Sequence, residues 1–392
     1  MSFILTLILS GVISVHPASN PQGRMLSMYD ANLNGKLYPR SGRMLWEKEE
    51  HPAPQFVMPK PDAEAVSYGT SVSRNEFGIR NGIFPSNSGD RAAVYRLDES
   101  RVSQFPLLDI NTRTGSLRNI RYPMNGMPSE LVSLCVIDRE GNILSTMDVT
   151  DFDEERYLTN ISWSPDDKYI FIHVLDRAQH HMRLNMYRSD NGAFVRTVLE
   201  EENMAWVEPQ DPVRFIKGSW NFIYRTNNRD SYMNLYLCDT LGNVRRLTKV
   251  DADVEYVAND GQWLYYTTAE FSPVENHLMR MSVKNPKRPG KPQRLTQTEG
   301  WHSVSMKPDC SAFIDRWSSF NDPGAVELRN ADGSLAEELQ RFSDPLSEYA
   351  QCEMELGTVK AADGITDNYY RLYKPLGFDP SKKYPLIVYV YG

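Results

Sequence analysis

Few residues of this chain could do chemistry, and no serine stands in a recognisable nucleophile setting. A serine held on a strained strand-to-helix turn is spelled G-x-S-x-G, and that spelling occurs nowhere in the 392 residues. Glu200-Glu201-Glu202 is the densest run of carboxylates, and a like-charge run of this kind reads as a solvated loop. His180-His181 adjoins Arg183. Neighbouring side chains on a strand point to opposite faces, so the pair is a poor chelate. Asp148, Asp151, Asp153, Glu154 and Glu155 have the charge of a calcium loop without its D-x-[DN]-x-[DN]-G order, so a solvated inter-strand loop is expected. Cys135, Cys238, Cys310 and Cys352 lie too far apart for a zinc site. Those within apolar runs read as small buried thiols. No metal and no cofactor is expected.

The elements that would position such residues are strands. At 392 residues the chain is long enough for two domains or a repeat array. With 41% apolar and 24% charged residues it is globular in composition. A net charge of −8 without a basic stripe excludes a nucleic-acid partner. The apolar run Phe3 to Ile13 is too short for a membrane span. It reads either as part of a signal peptide lacking its positive start, or, over Val12 to Pro17, as a β-strand entering a turn.

A unit of about fifty residues recurs. It opens with a turn and a short apolar strand: Trp163-Ser164-Pro165-Asp166-Asp167 before Tyr169 to Ile172, Asn259-Asp260-Gly261 before Trp263 to Tyr266, Lys307-Pro308-Asp309 before Ala312 to Ile314. A second strand follows, such as Asn234 to Cys238 or His277 to Met281, and the unit closes on Leu-Thr at Leu247-Thr248 and Leu295-Thr296. Short strands with turn signals at this period fit the four-stranded blades of a β-propeller. Four clear blades are counted, with Met25 to Tyr68 as partial blade material. From about Phe342 the pattern changes to three strands: Leu356 to Lys360, Asp367 to Pro375, and the apolar run Pro385 to Tyr391.

In chain order, Tyr68-Gly69-Thr70-Ser71-Val72-Ser73-Arg74-Asn75-Glu76-Phe77-Gly78-Ile79, Tyr95 to Ser100, Tyr122 to Met127, Trp206-Val207-Glu208-Pro209, Asn234 to Tyr236 and Lys383-Tyr384-Pro385 with Val390-Tyr391-Gly392 resemble the dipeptidyl peptidase IV family of the prolyl oligopeptidase clan. The resemblance covers about residues 66–392. It implies a mainly β fold: a β-propeller, incomplete relative to the family's eight blades, followed by the first strands of an α/β-hydrolase domain. Residues 1–65 are then an N-terminal segment or partial blade, 66–341 the propeller, and 342–392 the start of the hydrolase domain.

The resemblance also implies roles. In the family two adjacent glutamates bind the substrate's free α-amino group. Here Asn75-Glu76 stands in that place, so one carboxylate remains and Asn75 offers only a carbonyl oxygen. Tyr391 stands where the family's oxyanion donor ends a strand. The function implied is the propeller portion of a serine exopeptidase releasing Xaa-Pro dipeptides from peptides with a free N-terminus, with the nucleophile in a missing α/β-hydrolase domain and this chain inactive alone. A homodimer and a periplasmic or secreted location are consistent with it. The alternative is a non-catalytic propeller that binds peptides or proteins.

Overall fold

The computed structural model describes residues 9–17, 20, 22–33, 37, 46 and 54–390. The chain divides into a larger unit, Trp46–Gln297 with Pro308–Cys310, and a smaller unit, Met1–Leu45 with Thr298–Lys307 and Ser311–Gly392.

Strand β1 (Leu9–His16) and helix α1 (Met28–Leu33) come first and belong to the smaller unit. The larger unit begins with β2 (Val66–Tyr68), β3 (Ile83–Pro85) and β4 (Arg91–Asp98). A separate hairpin follows, β5 (Gln104–Asp109) and β6 (Ser116–Arg121), then β7 (Leu131–Asp138) and β8 (Ile143–Thr146). These give a sheet in the order β2-β4-β7-β8 with β3 also on β4. Three antiparallel four-stranded meanders come next. The first is β9 (Tyr157–Trp163), β10 (Tyr169–Leu175), β11 (His181–Arg188) and β12 (Phe194–Glu202). The second is β13 (Arg214–Phe215), β14 (Phe222–Thr226), β15 (Asn234–Cys238) and β16 (Val244–Arg246). The third is β17 (Val254–Asn259), β18 (Trp263–Thr268), β19 (His277–Ser282) and β20 (Gln293–Arg294).

The inner strands β10 and β15 are apolar on both faces along most of their length because both faces are covered. On β10, Ile170, Ile172 and Val174 pack toward Tyr95 and Leu134 of the preceding sheet, while Phe171 and Leu175 pack toward Phe222 and Tyr224 of the following one. On β15 the split repeats: Tyr236 and Cys238 face back, and Leu235 and Leu237 face forward to Leu264 and Met279. Side chains alternate along a strand, so each sheet lends one set of residues to each neighbour. Turns add polar clamps. Asp167 accepts from the backbone N–H of Asn87 (2.8 Å) and Ser88 (2.9 Å), and Asn259 accepts from that of Lys217 (3.0 Å).

The repeated Leu-Thr has a defined job. The Thr248 hydroxyl accepts from Leu235 N–H at 2.9 Å and donates to Asn234 Oδ1 at 2.8 Å. Thr296 accepts likewise from Leu278 N–H at 3.0 Å. Leu247 and Leu295 N–H donate to Leu235 O and Leu278 O. The dipeptide therefore seals the first rungs of the third strand after the outer strand has ended.

The smaller unit holds a further four-stranded meander, β21 (Trp301–Met306), β22 (Ala312–Ser318), β23 (Ala325–Asn330) and β24 (Leu335–Arg341). Its centre is the fully buried pair His302 Nδ1–Asp315 Oδ2 at 2.8 Å. A three-stranded sheet follows, ordered β1-β25-β26, with β25 (Met354–Lys360) and β26 (Asp367–Tyr373). Arg24, Asp30 and Tyr349 form a hydrogen-bonded cluster in this unit, with the Arg24 guanidinium 4.7 Å from the Tyr349 ring centre.

Two expectations change, and one open alternative is met. Five sheets of the blade type are described, one more than the repeat count, and edge strands as short as β13 and β16, with two and three residues, carry little local signal. The N-terminal residues 9–16 form a strand, as one of the two readings held, and pair antiparallel with β25. The run from Pro385 is no strand over its described residues: it joins no sheet, and Ile387 is 93% exposed. An apolar run becomes a central strand only when neighbouring strands complete its ladder, and none flanks it among the described residues. Among those residues no helix is long and apolar enough to cross a membrane.

Candidate functional site

Glu76 sits on an unusual turn. Ser73, Arg74 and Asn75 make one 3-10 turn with φ of 50°, 54° and 63°, and Phe77 (54°) and Gly78 (75°) are left-handed as well. Left-handed backbone is strained for side-chain-bearing residues, least so for asparagine. Such runs persist only where the surroundings over-determine them, and here they do. The buried Asn160, itself left-handed at φ 52°, donates from Nδ2 to Phe77 O (2.9 Å) and to Pro209 O (3.0 Å). A Cβ on Gly78 would lie 2.2 Å from Gln210 O. The Phe77 and Tyr157 rings are 4.6 Å apart. On the other side Arg74 donates to the Tyr122 hydroxyl at 3.1 Å and lies 4.8 Å from its ring centre.

The turn thus joins strand β9, the segment from Met204 to Gln210 and the end of β6. Glu76 N–H donates to Ser73 O at 3.0 Å and Ile79 N–H to Glu76 O at 3.0 Å, which closes the backbone. The Glu76 carboxylate is exposed, and among the described residues it takes no ion pair or side-chain hydrogen bond. Asn75 beside it is exposed too. The result is an uncommitted anion on a rigid mount. Tyr391, the other expected site residue, lies outside the described residues.

The family model of the dipeptidyl peptidase IV (DPP IV) N-terminal region matches residues 47–324. The chain belongs to that family. A crystal structure from Bacteroides ovatus, assigned as a dipeptidyl aminopeptidase IV, is 34% identical with a TM-score of 0.77, over 85% of this chain and 50% of that one. Porphyromonas gingivalis dipeptidyl peptidase 4 is similar in fold, with a TM-score of 0.72 at 22% identity over 83% of this chain and 47% of that one. Human dipeptidyl peptidase 8 is 20% identical over 84% of this chain and 46% of its own length. The chain therefore spans about half the length of the relatives it matches. Its sheets and these neighbours make the fold mainly β, a β-propeller of the dipeptidyl peptidase IV kind.

Two acidic runs differ from their expected solvated-loop character. Glu200 to Glu202 end strand β12, so Glu201 faces inward while Glu200 and Glu202 face out. Glu201 accepts from the Thr226 hydroxyl at 2.9 Å and lies 3.5 Å from Arg229 Nε, and burial raises its pKa. Tyr224 nearby is held un-ionised by burial and by the Glu201 charge. His173, fully buried and stacked on Tyr224 at 5.9 Å, is pushed down to about 4 by burial. The apolar Val198-Leu199 just before was the signal that the strand continues.

The stretch from Asp148 to Glu155 is instead bound by arginines. Arg101 reaches Glu154 (3.1 Å) and Glu155 (3.0 Å), and Arg183 reaches Asp151 (3.1 Å). The register that sets His181 opposite Glu202 also gathers His181 Nε2 and carboxylate oxygens of Glu200 and Glu202 within 4.8 Å. Reasoning on the His180-His181 pair missed this cross-strand grouping. Arg183 Nε shares Glu200 Oε1 at 2.7 Å, so the group is already an ion-pair cluster.

Proposed function

We propose that this chain is the propeller portion of a serine-type dipeptidyl peptidase that releases Xaa-Pro dipeptides, restricting entry and presenting Glu76 to the substrate's α-ammonium. The observation that carries the reading is the Glu76 turn: a strained backbone, clamped from three sides, holding a carboxylate with no side-chain partner among the described residues. A charge-assisted bond between carboxylate and ammonium is about twice as strong as a neutral one and rejects a blocked N-terminus. Asn75 can add a carbonyl acceptor but no charge.

Acyl transfer further needs a serine, its base and an oxyanion donor. The sequence holds no G-x-S-x-G, so the nucleophile is assigned to an α/β-hydrolase domain outside these 392 residues. Tyr391 is assigned as oxyanion donor by its place in the resemblance. With this reading goes a periplasmic or secreted location, which cell fractionation checks.

The test is an NMR titration of the chain with Ile-Pro and with N-acetyl-Ile-Pro. The free amine is expected to bind, the acetylated form to fail, and Glu76→Gln to lose binding at least tenfold. Equal binding of both dipeptides removes Glu76 from the amine site. The chain alone is expected to leave Gly-Pro p-nitroanilide intact, and labelling by a serine-reactive phosphonate would overturn the assignment of the nucleophile elsewhere.

A further inference from the structure

The smaller unit contains a cavity of about 880 Å³, within the size range of ligand pockets. Its walls include Trp301, Arg316, Trp317, Phe342, Arg371 and Tyr373. Trp317 is only 6% exposed, and its indole Nε1 is buried with no acceptor among the described residues.

The charges in the wall are unequal in their commitments. Asp322 is taken by Arg341 (2.6 Å) and Gly324 N–H (2.8 Å), and Asp344 by Gln351 (2.7 Å) and Leu346 N–H (2.8 Å). The two lining guanidiniums have no carboxylate partner among the described residues. Arg316 lies 5.9 Å from the Phe342 ring centre, and Arg371 contacts the Tyr373 hydroxyl at 3.4 Å. The cavity therefore combines aromatic faces with two planar cations that have no carboxylate partner among the described residues. A carboxylate carried on an apolar body complements that set, since a guanidinium fork matches a carboxylate. The volume exceeds what one small aromatic acid fills.

We propose that this cavity binds the free carboxyl end of a short peptide whose last residue is apolar or aromatic. The carboxylate is held by Arg316 and Arg371, and the terminal side chain lies against the aromatic walls. The site is independent of the Glu76 reading, and an N-acetylated ligand keeps the two apart.

The experiment titrates the full chain calorimetrically with acetyl-Gly-Leu-Phe as free acid, with its C-terminal amide, and with 3-phenylpropionate. The peptide acid is expected to bind at least tenfold tighter than the amide and tighter than phenylpropionate. Arg316→Gln and Arg371→Gln should each weaken it about tenfold, as expected for loss of one charged bond. Both arginines are exposed, so their variants should melt as the parent does. Equal affinity of acid and amide, or unchanged binding in both arginine variants, overturns the proposal. Phenylpropionate binding as tightly as the peptide acid overturns the peptide assignment.

Discussion

Asn160→Ala is expected to unfasten the turn that carries Glu76. The Asn160 amide donates to Phe77 O at 2.9 Å and to Pro209 O at 3.0 Å, the second bond fully buried. Truncation leaves the Pro209 carbonyl without that donor, which costs about 1–3 kcal/mol, and removes the part-buried bond to Phe77, about 1 kcal/mol more. The site is left-handed at φ 52°, where alanine is worse than asparagine by about 1 kcal/mol. The sum is about 4 kcal/mol. Asn160→Asp sharpens the argument, because it keeps the shape and the tolerance for this backbone but turns the donor into an anionic oxygen facing two carbonyls. It should cost at least as much as alanine at neutral pH. Its folded-state pKa would be raised, so stability should return as pH falls toward the unfolded value of about 3.9. Urea unfolding followed by tryptophan fluorescence gives the free energies, and hydrogen exchange reads the turn directly through the amides of Asn75, Glu76 and Ile79, which bond Val72 O, Ser73 O and Glu76 O. Unchanged protection of those amides, with an unfolding free energy within about 1 kcal/mol of the parent, would refute the clamp.

Two more outcomes follow from burial. Burial is the main cause of the raised Glu201 pKa, so the native state holds that proton to higher pH than the unfolded chain, and its benefit is lost as pH rises through the folded value. Glu201→Gln keeps an acceptor for Thr226 and removes the titration, so the variant should gain on the parent as pH rises above the unfolded carboxylate value of about 4.3; parallel urea midpoints on both sides of that pH would contradict this. Cys135 and Cys238 are buried, with Cys238 pushed up to about 12 by that burial, whereas Cys352 is half-buried. Native thiol titration should therefore show Cys352 reacting first, and equal rates for all four would count against the packing described.

The strands were legible because both of their signals are local. Asn234 to Cys238 can be marked off residue by residue, since an unbroken apolar run between two turns needs no partner to be seen. Strand β13 of the same sheet left no such mark, for the opposite reason: an edge strand as short as Arg214–Phe215 exists only through pairing with β14. Glu201 looks like its neighbours in sequence, and only the register of β12 and the following sheet buries it. The left-handed path through Ser73 to Gly78 carries one local hint, Asn75 and Gly78, while the residue that fixes it, Asn160, lies 83 positions from Phe77. Site residues were thus placed by resemblance along the chain, and their rigidity by contacts remote in it.

The Leu-Thr seal has a consequence for how such arrays diversify. Because the threonine hydroxyl occupies the second amide of the third strand, the rim strand can erode to a pair such as Gln293–Arg294 and leave that donor satisfied. The periphery of each sheet is then released from the constraints that govern its middle. Insertions and deletions should accumulate there first, leaving the interior hydrophobic lattice undisturbed while the outline of the molecule changes.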